Sequence, residues 1–258
     1  MVSSNAAVFL MYHELELPGR PLCQSEPGYV RYILPVEDFA LQMRQLKASH
    51  VQGVSVSDAL KFSGPAVAIT FDDGCETDLL SAAPILRDHN FGATFFVVTG
   101  FVDKPGYLSR SQVRELAALG FEIGCHSMTH PYLPDLDDAG LRREIAEAKI
   151  VLEEIVGKAV EHFSCPGGRY DPRAMQVARN AGFVTVSTSV PRANTAATDR
   201  FALGRVAIMR GIQTSEFRQL CRGESLWKMN VRGDMRDSVK RLLGNALYDR
   251  LRSAILRK

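Results

Sequence analysis

The sequence predicts an α/β fold built on parallel strands, and three observations carry that expectation. Short β-branched or aromatic runs alternate with amphipathic helical patterns. Gly or Pro stands at the junctions. The unit repeats every 25–30 residues or so, which calls for right-handed crossovers between parallel strands. An open doubly wound sheet and a (β/α) barrel both satisfy the pattern. In either, chemistry gathers at the carboxyl ends of the strands.

Residues 8–11 form the first short apolar run, and residues 35–49 carry helical spacing through Phe39, Met43 and Leu46. Residues 67–71 read as a strand that ends in the turn Asp72-Asp73-Gly74, and residues 79–89 as a helix. A strand at 93–98 precedes a helix at 109–119, with Ser109 as cap, Gln112 three residues on and Gly120 as stop. Residues 122–126 are the next strand. The clearest helix spans 138–156, striped by Leu141, Ile145, Ala148, Leu152, Ile155 and Val156 and closed by Gly157. A strand at 162–165 follows. Asp171 caps a helix over 171–181, with Pro172 in its first turn and Gly182 beyond its end. Strands at 183–189 and 205–209 and a short helix at 215–221 complete the body.

Composition narrows the class. The chain has 258 residues, 46% apolar and 23% charged, which excludes wholesale disorder and low-complexity sequence. No apolar run approaches a membrane span. The first eleven residues lack a basic region, so a secretory leader is not expected and a cytoplasmic chain is. The five cysteines (Cys23, Cys75, Cys125, Cys165, Cys221) include no CxxC spacing, which argues against a disulfide framework and a thiolate zinc finger. Cys75, Cys125 and Cys165 neighbour the motifs below and read as small buried residues. The net charge is +2. Residues 227–258 hold nine Lys/Arg and three Asp/Glu, with Val239, Leu242, Leu243, Ala246, Leu247, Leu251, Ala254 and Ile255 at helical spacing. That tail reads as a basic amphipathic helix, either packed on the body or laid on an anionic membrane or partner protein. Its aromatics are Trp227 and Tyr248 only, so no nucleic-acid partner is expected.

Two constellations carry chemistry. Thr70-Phe71-Asp72-Asp73-Gly74 places adjacent carboxylates at a strand end. One could ligate a metal while the other handles a proton, although Asp-Asp-Gly is also a good turn sequence. His126-Ser127-Met128-Thr129-His130 follows another strand. Imidazoles at i and i+4 meet on one face of a helical turn, a chelating spacing, with Ser127 and Thr129 available to support them. Capping or surface histidines are the alternative. Two His and one carboxylate leave an open metal position for water, and the second carboxylate beside it suits a general base.

The pairing of TFDDG with HSMTH resembles the polysaccharide deacetylases with a NodB-homology domain, carbohydrate esterase family 4, over residues 67–209. The resemblance implies a distorted (β/α) barrel over residues 1–223 and leaves 224–258 as the helical tail. It implies hydrolysis of an N-acetyl group on a sugar. Asp72 is then the base, and Asp73, His126 and His130 hold a divalent transition metal, zinc foremost, with cobalt, nickel or manganese as alternatives. Three motifs depart from the family. Ser164-Cys165-Pro166-Gly167-Gly168 has Ser164 where the family has an Arg that holds the base, and Gly167 where it has an aromatic. The Gly167 N–H can still serve an oxyanion. Arg205 or Arg169 could replace the missing cation, or contact substrate. The family's Asp/Trp motif is absent, and Ile208-Met209-Arg210 lacks the general-acid His. Residues 8–13, ending Tyr12-His13, resemble an exopolysaccharide-type subgroup. His13 is the candidate acid and Tyr12 a substrate contact.

These residues imply an N-acetylated glycan as partner. Without a leader, a lipid- or nucleotide-linked precursor at the inner membrane surface would suit such a chain. The rewritten motifs leave two other readings, a degenerate glycan-binding relative and a metal-dependent amidase on a non-sugar amide.

Overall fold

The computed structural model describes residues 6–61, 66–224 and 226. The predicted tail therefore lies outside the described residues, apart from Glu224 and Leu226. Ten strands follow in chain order: β1 (Val8–Tyr12), β2 (Leu15–Glu16), β3 (Leu34–Pro35), β4 (Gln52–Val54), β5 (Ala66–Phe71), β6 (Thr94–Val97), β7 (Glu122–Cys125), β8 (His162–Ser164), β9 (Thr185–Ser187) and β10 (Val206–Ala207). Eight of them form one parallel sheet in the order β10-β1-β5-β6-β7-β8-β9, with β4 pairing β5. β2 and β3 form a separate two-stranded piece. The sheet curls into the distorted (β/α) barrel that the resemblance implied, with helices outside.

Strand alternation divides the interior in two. Leu10, Ile69, Phe71 and Phe95 face the helices and join the main core. Phe9, Ala68 and Phe96 face the inside of the curl with Val54 and Leu203. Aromatic stacking reinforces the outer layer: the Tyr12 and Phe71 rings lie 5.2 Å apart, as do those of Phe71 and Phe95.

The predicted helices form where their caps and stripes place them. Ser109 and Gln112 make a reciprocal capping box at the start of Arg110–Ala118. Asp171 accepts from the Ala174 N–H at the start of Pro172–Asn180, and Gly157 closes the long helix at φ +76°. The long helix runs unbroken from Asp138 to Val156 with one wide turn at Arg143–Glu147. The same widening opens the helix that begins at Asp78. The short strands β2, β3 and β4 and the single-turn helices Pro27–Val30 and Val56–Ala59 were not visible in the sequence, because pieces of two to four residues hold too few positions to establish a period. Among the described residues, no helix is long and apolar enough to cross a membrane.

Candidate active site

Four strands deliver the site at their carboxyl ends. β5 runs into Asp72 and Asp73, β7 into His126, β8 into Pro166-Gly167, and β1 into His13. The strand ladder continues past β5 and β7: Asp72 N–H donates to the Tyr12 carbonyl and His126 N–H to the Val97 carbonyl, each at 2.9 Å. Asp72, Asp73 and His126 are almost wholly buried, while His130 is partly open.

Asp73, His126 and His130 converge. Their ligand atoms lie within 4.8 Å of one another. Asp73 Oδ1 is 3.6 Å from His126 Nε2 and 3.5 Å from His130 Nε2. The His126 Nδ1 sits 2.8 Å from the Ser164 carbonyl, which only accepts. Nδ1 therefore carries the proton and Nε2 presents a lone pair to the cluster. Burial pushes the His126 pKa down to about 4, which keeps the ring neutral, as a ligand must be. Asp73 Oδ1 is buried and has no hydrogen-bond partner among the described residues. An orphaned carboxylate oxygen facing two imidazole nitrogens fits a divalent transition ion.

The two histidines do not meet on a helical turn. Ser127 and His130 adopt left-handed φ values of +70° and +65°, and the segment is an irregular loop. Long-range hydrogen bonds override the local spacing. Glu144, from the long helix, accepts from the N–H groups of Met128 and Thr129 and from the Thr129 hydroxyl. Thr99 and Gly100 N–H donate to the Ser127 and Met128 carbonyls, and Ser127 Oγ accepts the His130 N–H. Glu144 was missed in the sequence. Its signal was there: an acidic residue three positions after Leu141, on the apolar side of the stripe.

Asp72 is held by Arg205 through two parallel hydrogen bonds, 2.7 Å to Oδ1 and 2.8 Å to Oδ2. Every other N–H of that guanidinium is also used, on the Thr188 carbonyl, Thr70 Oγ1 and Ser164 Oγ. Ser164 Oγ in turn donates to Asp72 at 3.3 Å. Arg205 is fully buried, so it holds the carboxylate and is not placed to contact substrate. A small residue at 164 leaves room for a guanidinium arriving from the β10 side. Burial alone would raise the Asp72 pKa, but the Arg205 charge overrides it and holds the carboxyl far below the usual range.

The remaining predicted residues divide. Tyr12 is not in the site. One residue before His13 in the β1 alternation, it faces the helix layer, fully buried, and its hydroxyl donates to Gln42 at 2.8 Å. His13 faces inward with Met11, its ring 5.1 Å from that of Tyr32, and its Nδ1 is buried without a hydrogen-bond partner among the described residues. Burial lowers its pKa, against the opposing pull of Asp73 and Asp72. Arg169 does not reach Asp72; its guanidinium lies 3.6 Å from the Tyr132 ring centroid. Gly167 adopts φ +60°, and a Cβ there would sit 2.8 Å from Tyr132 Cε1. The Tyr132 ring thus occupies the space beside Gly167 and favours a residue without a side chain. Arg210 hydrogen-bonds to Glu16 at 2.7 Å.

Residues 59–186 match the polysaccharide deacetylase family model. That segment belongs to the polysaccharide deacetylase family. It is 27% identical over 191 residues to YxkH of Bacillus subtilis (strain 168), named as a polysaccharide deacetylase, covering 71% of this chain and 68% of that protein. It is 34% identical over 127 residues to a chitooligosaccharide deacetylase of Azorhizobium caulinodans, covering 48% and 59%. The chain thus spans between about half and two thirds of the curated relatives it matches. Among solved structures, IcaB from Ammonifex degensii superposes with a TM-score of 0.69 at 25% identity, over 84% of this chain and 96% of that one. The Streptococcus pyogenes deacetylase PplD, solved with acetate, shares the fold with a TM-score of 0.75 at 21% identity, over 85% and 99%.

Two outcomes are expected from this geometry. Arg205→Gln leaves a buried carboxylate without its cation and should lower the unfolding free energy by about 3–5 kcal/mol in urea titrations. The metal-free chain should lose stability as pH falls from 6.5 towards about 4, because the unfolded His126 protonates in that window and the buried ring does not. Thermal midpoints of a His126→Asn variant should show a flatter pH dependence there.

Proposed function

We propose that the chain is a metal-dependent N-deacetylase acting on an N-acetylated sugar of a cell-surface polysaccharide or its lipid-linked precursor, with acetate as product. The observation that carries this reading is the place of Asp72. Held ionised by Arg205, it lies with Oδ2 3.6 Å from His126 Nε2, beside the donor trio. A divalent ion held by Asp73, His126 and His130, zinc or another transition metal, would supply a polarised water and an electrophile for the acetyl carbonyl.

The chain's own groups then divide the work. Asp72 accepts the proton of the attacking water. The bidentate Arg205 contact fixes the orientation of that carboxylate and keeps it deprotonated through the working pH range. The Gly167 N–H is the candidate donor to the oxyanion. An amide leaves only when its nitrogen is protonated. His13, on the inward face of the β1 end, is the candidate for that step, in place of the histidine absent after Met209; burial lowers its pKa, so the nearby Asp73 and Asp72 charges must help it hold the proton it donates.

Asp72→Asn should keep its metal content and lose about 10²- to 10⁴-fold in kcat for acetate release from N-acetylated oligosaccharides. Acetate release indifferent to this change would sink the enzyme reading in favour of glycan binding. Faster ammonia release from linear or cyclic amides would favour the non-sugar amidase.

The basic amphipathic pattern of residues 224–258 supports a cytoplasmic, peripheral placement against an anionic inner membrane surface, with residues 1–223 as the deacetylase unit. The full chain should then sediment with phosphatidylglycerol vesicles and a chain ending at Gly223 should not. Equal partitioning of the two would refute the tail's role.

A further inference from the structure

Next to the donor trio, a second set of ligating atoms converges from three separate segments. Glu14 follows β1, Cys23 lies between β2 and the helix Pro27–Val30, and Cys75 follows the Asp-Asp-Gly turn. A Glu14 carboxylate oxygen and the two sulfurs lie within 4.8 Å of one another. Glu14 and Cys75 are buried and Cys23 is half-buried. The arrangement is built rather than incidental. Both Glu14 oxygens accept the Cys23 N–H at 3.0 Å, and the Cys23 thiol donates to the Gly106 carbonyl at 3.0 Å. The Tyr29 hydroxyl lies 3.7 Å from the Cys75 sulfur.

An independent observation points to a missing cation. Asp78 is wholly buried, and neither of its carboxylate oxygens has a hydrogen-bond partner among the described residues. After burial itself, the carboxylates of Asp73, Glu14 and Asp72 push its carboxyl up. Four acidic groups therefore crowd one enclosed region. Arg20, whose charge also reaches Glu14, is engaged by Glu76. Buried acidic groups in such a setting are ordinarily paired or coordinate a metal.

The geometry points to a second metal site, distinct from Asp73, His126 and His130: a thiophilic divalent cation of the zinc type, held by Cys23, Cys75 and Glu14 with Asp78 beside it. Two thiolates and a carboxylate leave one tetrahedral position for water, and binding releases the two thiol protons to solvent. The ion would tie the segment after β1 to the loop that carries Asp73, two residues before Cys75. It is a structural clamp on the hydrolytic loop. The spacing of the cysteines excluded a zinc finger within one short segment, but it could not exclude a site assembled from three.

The test is metal stoichiometry on the full chain, reconstituted with zinc and freed of excess. About two zinc per chain are expected, about one in Cys23→Ser/Cys75→Ser, and about one in His126→Ala/His130→Ala. Failure of either site is thus read separately from failure of the other. With cobalt in place of zinc, a near-ultraviolet thiolate charge-transfer band should appear in the wild-type chain and in the histidine variant and vanish in the cysteine variant. Should the cysteine variant fold poorly, alkylation of the native chain decides. Zinc should protect Cys23 and leave the half-buried Cys221 unchanged. One zinc per chain with no thiolate band, or Cys23 alkylation indifferent to zinc, overturns the site. So does an intact mass two hydrogens light with Cys23 and Cys75 in one crosslinked peptide, which would make the pair a disulfide.

Discussion

The buried contact between Asp72 and Arg205 is the constraint on which the rest of the site depends. It joins the end of β5 to the residue that opens β10, on opposite sides of β1 in the curled sheet. Removing two charges from water is expensive, and their attraction offsets that cost only when every donor and acceptor is answered. Here the guanidinium uses all five N–H groups, and Phe96 lies against its face at 5.3 Å. The pair therefore specifies where β10 packs as well as which way the Asp72 carboxylate points. It also explains why a serine suffices at position 164: Ser164 supplies a hydroxyl to both partners and its carbonyl to His126.

Around that pair, local backbone preference gives way to tertiary hydrogen bonding. Asp73, Ser127 and His130 all sit at positive φ, a conformation that costs non-glycine residues free energy. Glu144 and the turn Thr99–Phe101 hold the histidine loop in that shape. The ligand atoms are thus placed by a helix and a turn remote in sequence, which gives the donor trio a rigidity that a lone loop would lack. The long helix does two jobs: its apolar stripe seals the core, and its one inward carboxylate organises the loop.

The helices were the most legible part of the fold. Caps and stops at Ser109, Asp171, Gly120, Gly157 and Gly182 act within a few residues, so the sequence contains the whole interaction. The candidate site was legible as a set of residue types: TFDDG and HSMTH each lie within a five-residue window at a strand end. The partner of Asp72 was not, because Arg169 and Arg205 offer the same charge and their distances are set by sheet closure. Tyr12 was misplaced for the opposite reason. Period-two alternation, which depends on sequence alone, sends it to the helix layer when His13 faces inward.

By itself, then, the sequence determined the alternation of strands and helices and the parallel sheet it requires, and it offered Asp72, Asp73, His126 and His130 as a candidate cluster whose division into base and ligands only the family resemblance implied. Those follow from short-range periodicity and from chemistry carried by adjacent residues. Only the tertiary structure decided which arginine holds Asp72, which carboxylate shapes the histidine loop, and that Glu14, Cys23 and Cys75 meet. These contacts join positions separated by between 9 and 133 residues, on different elements of the fold. Their distance is set by how the sheet curls and how its helices pack, a property of the whole core that no local window contains.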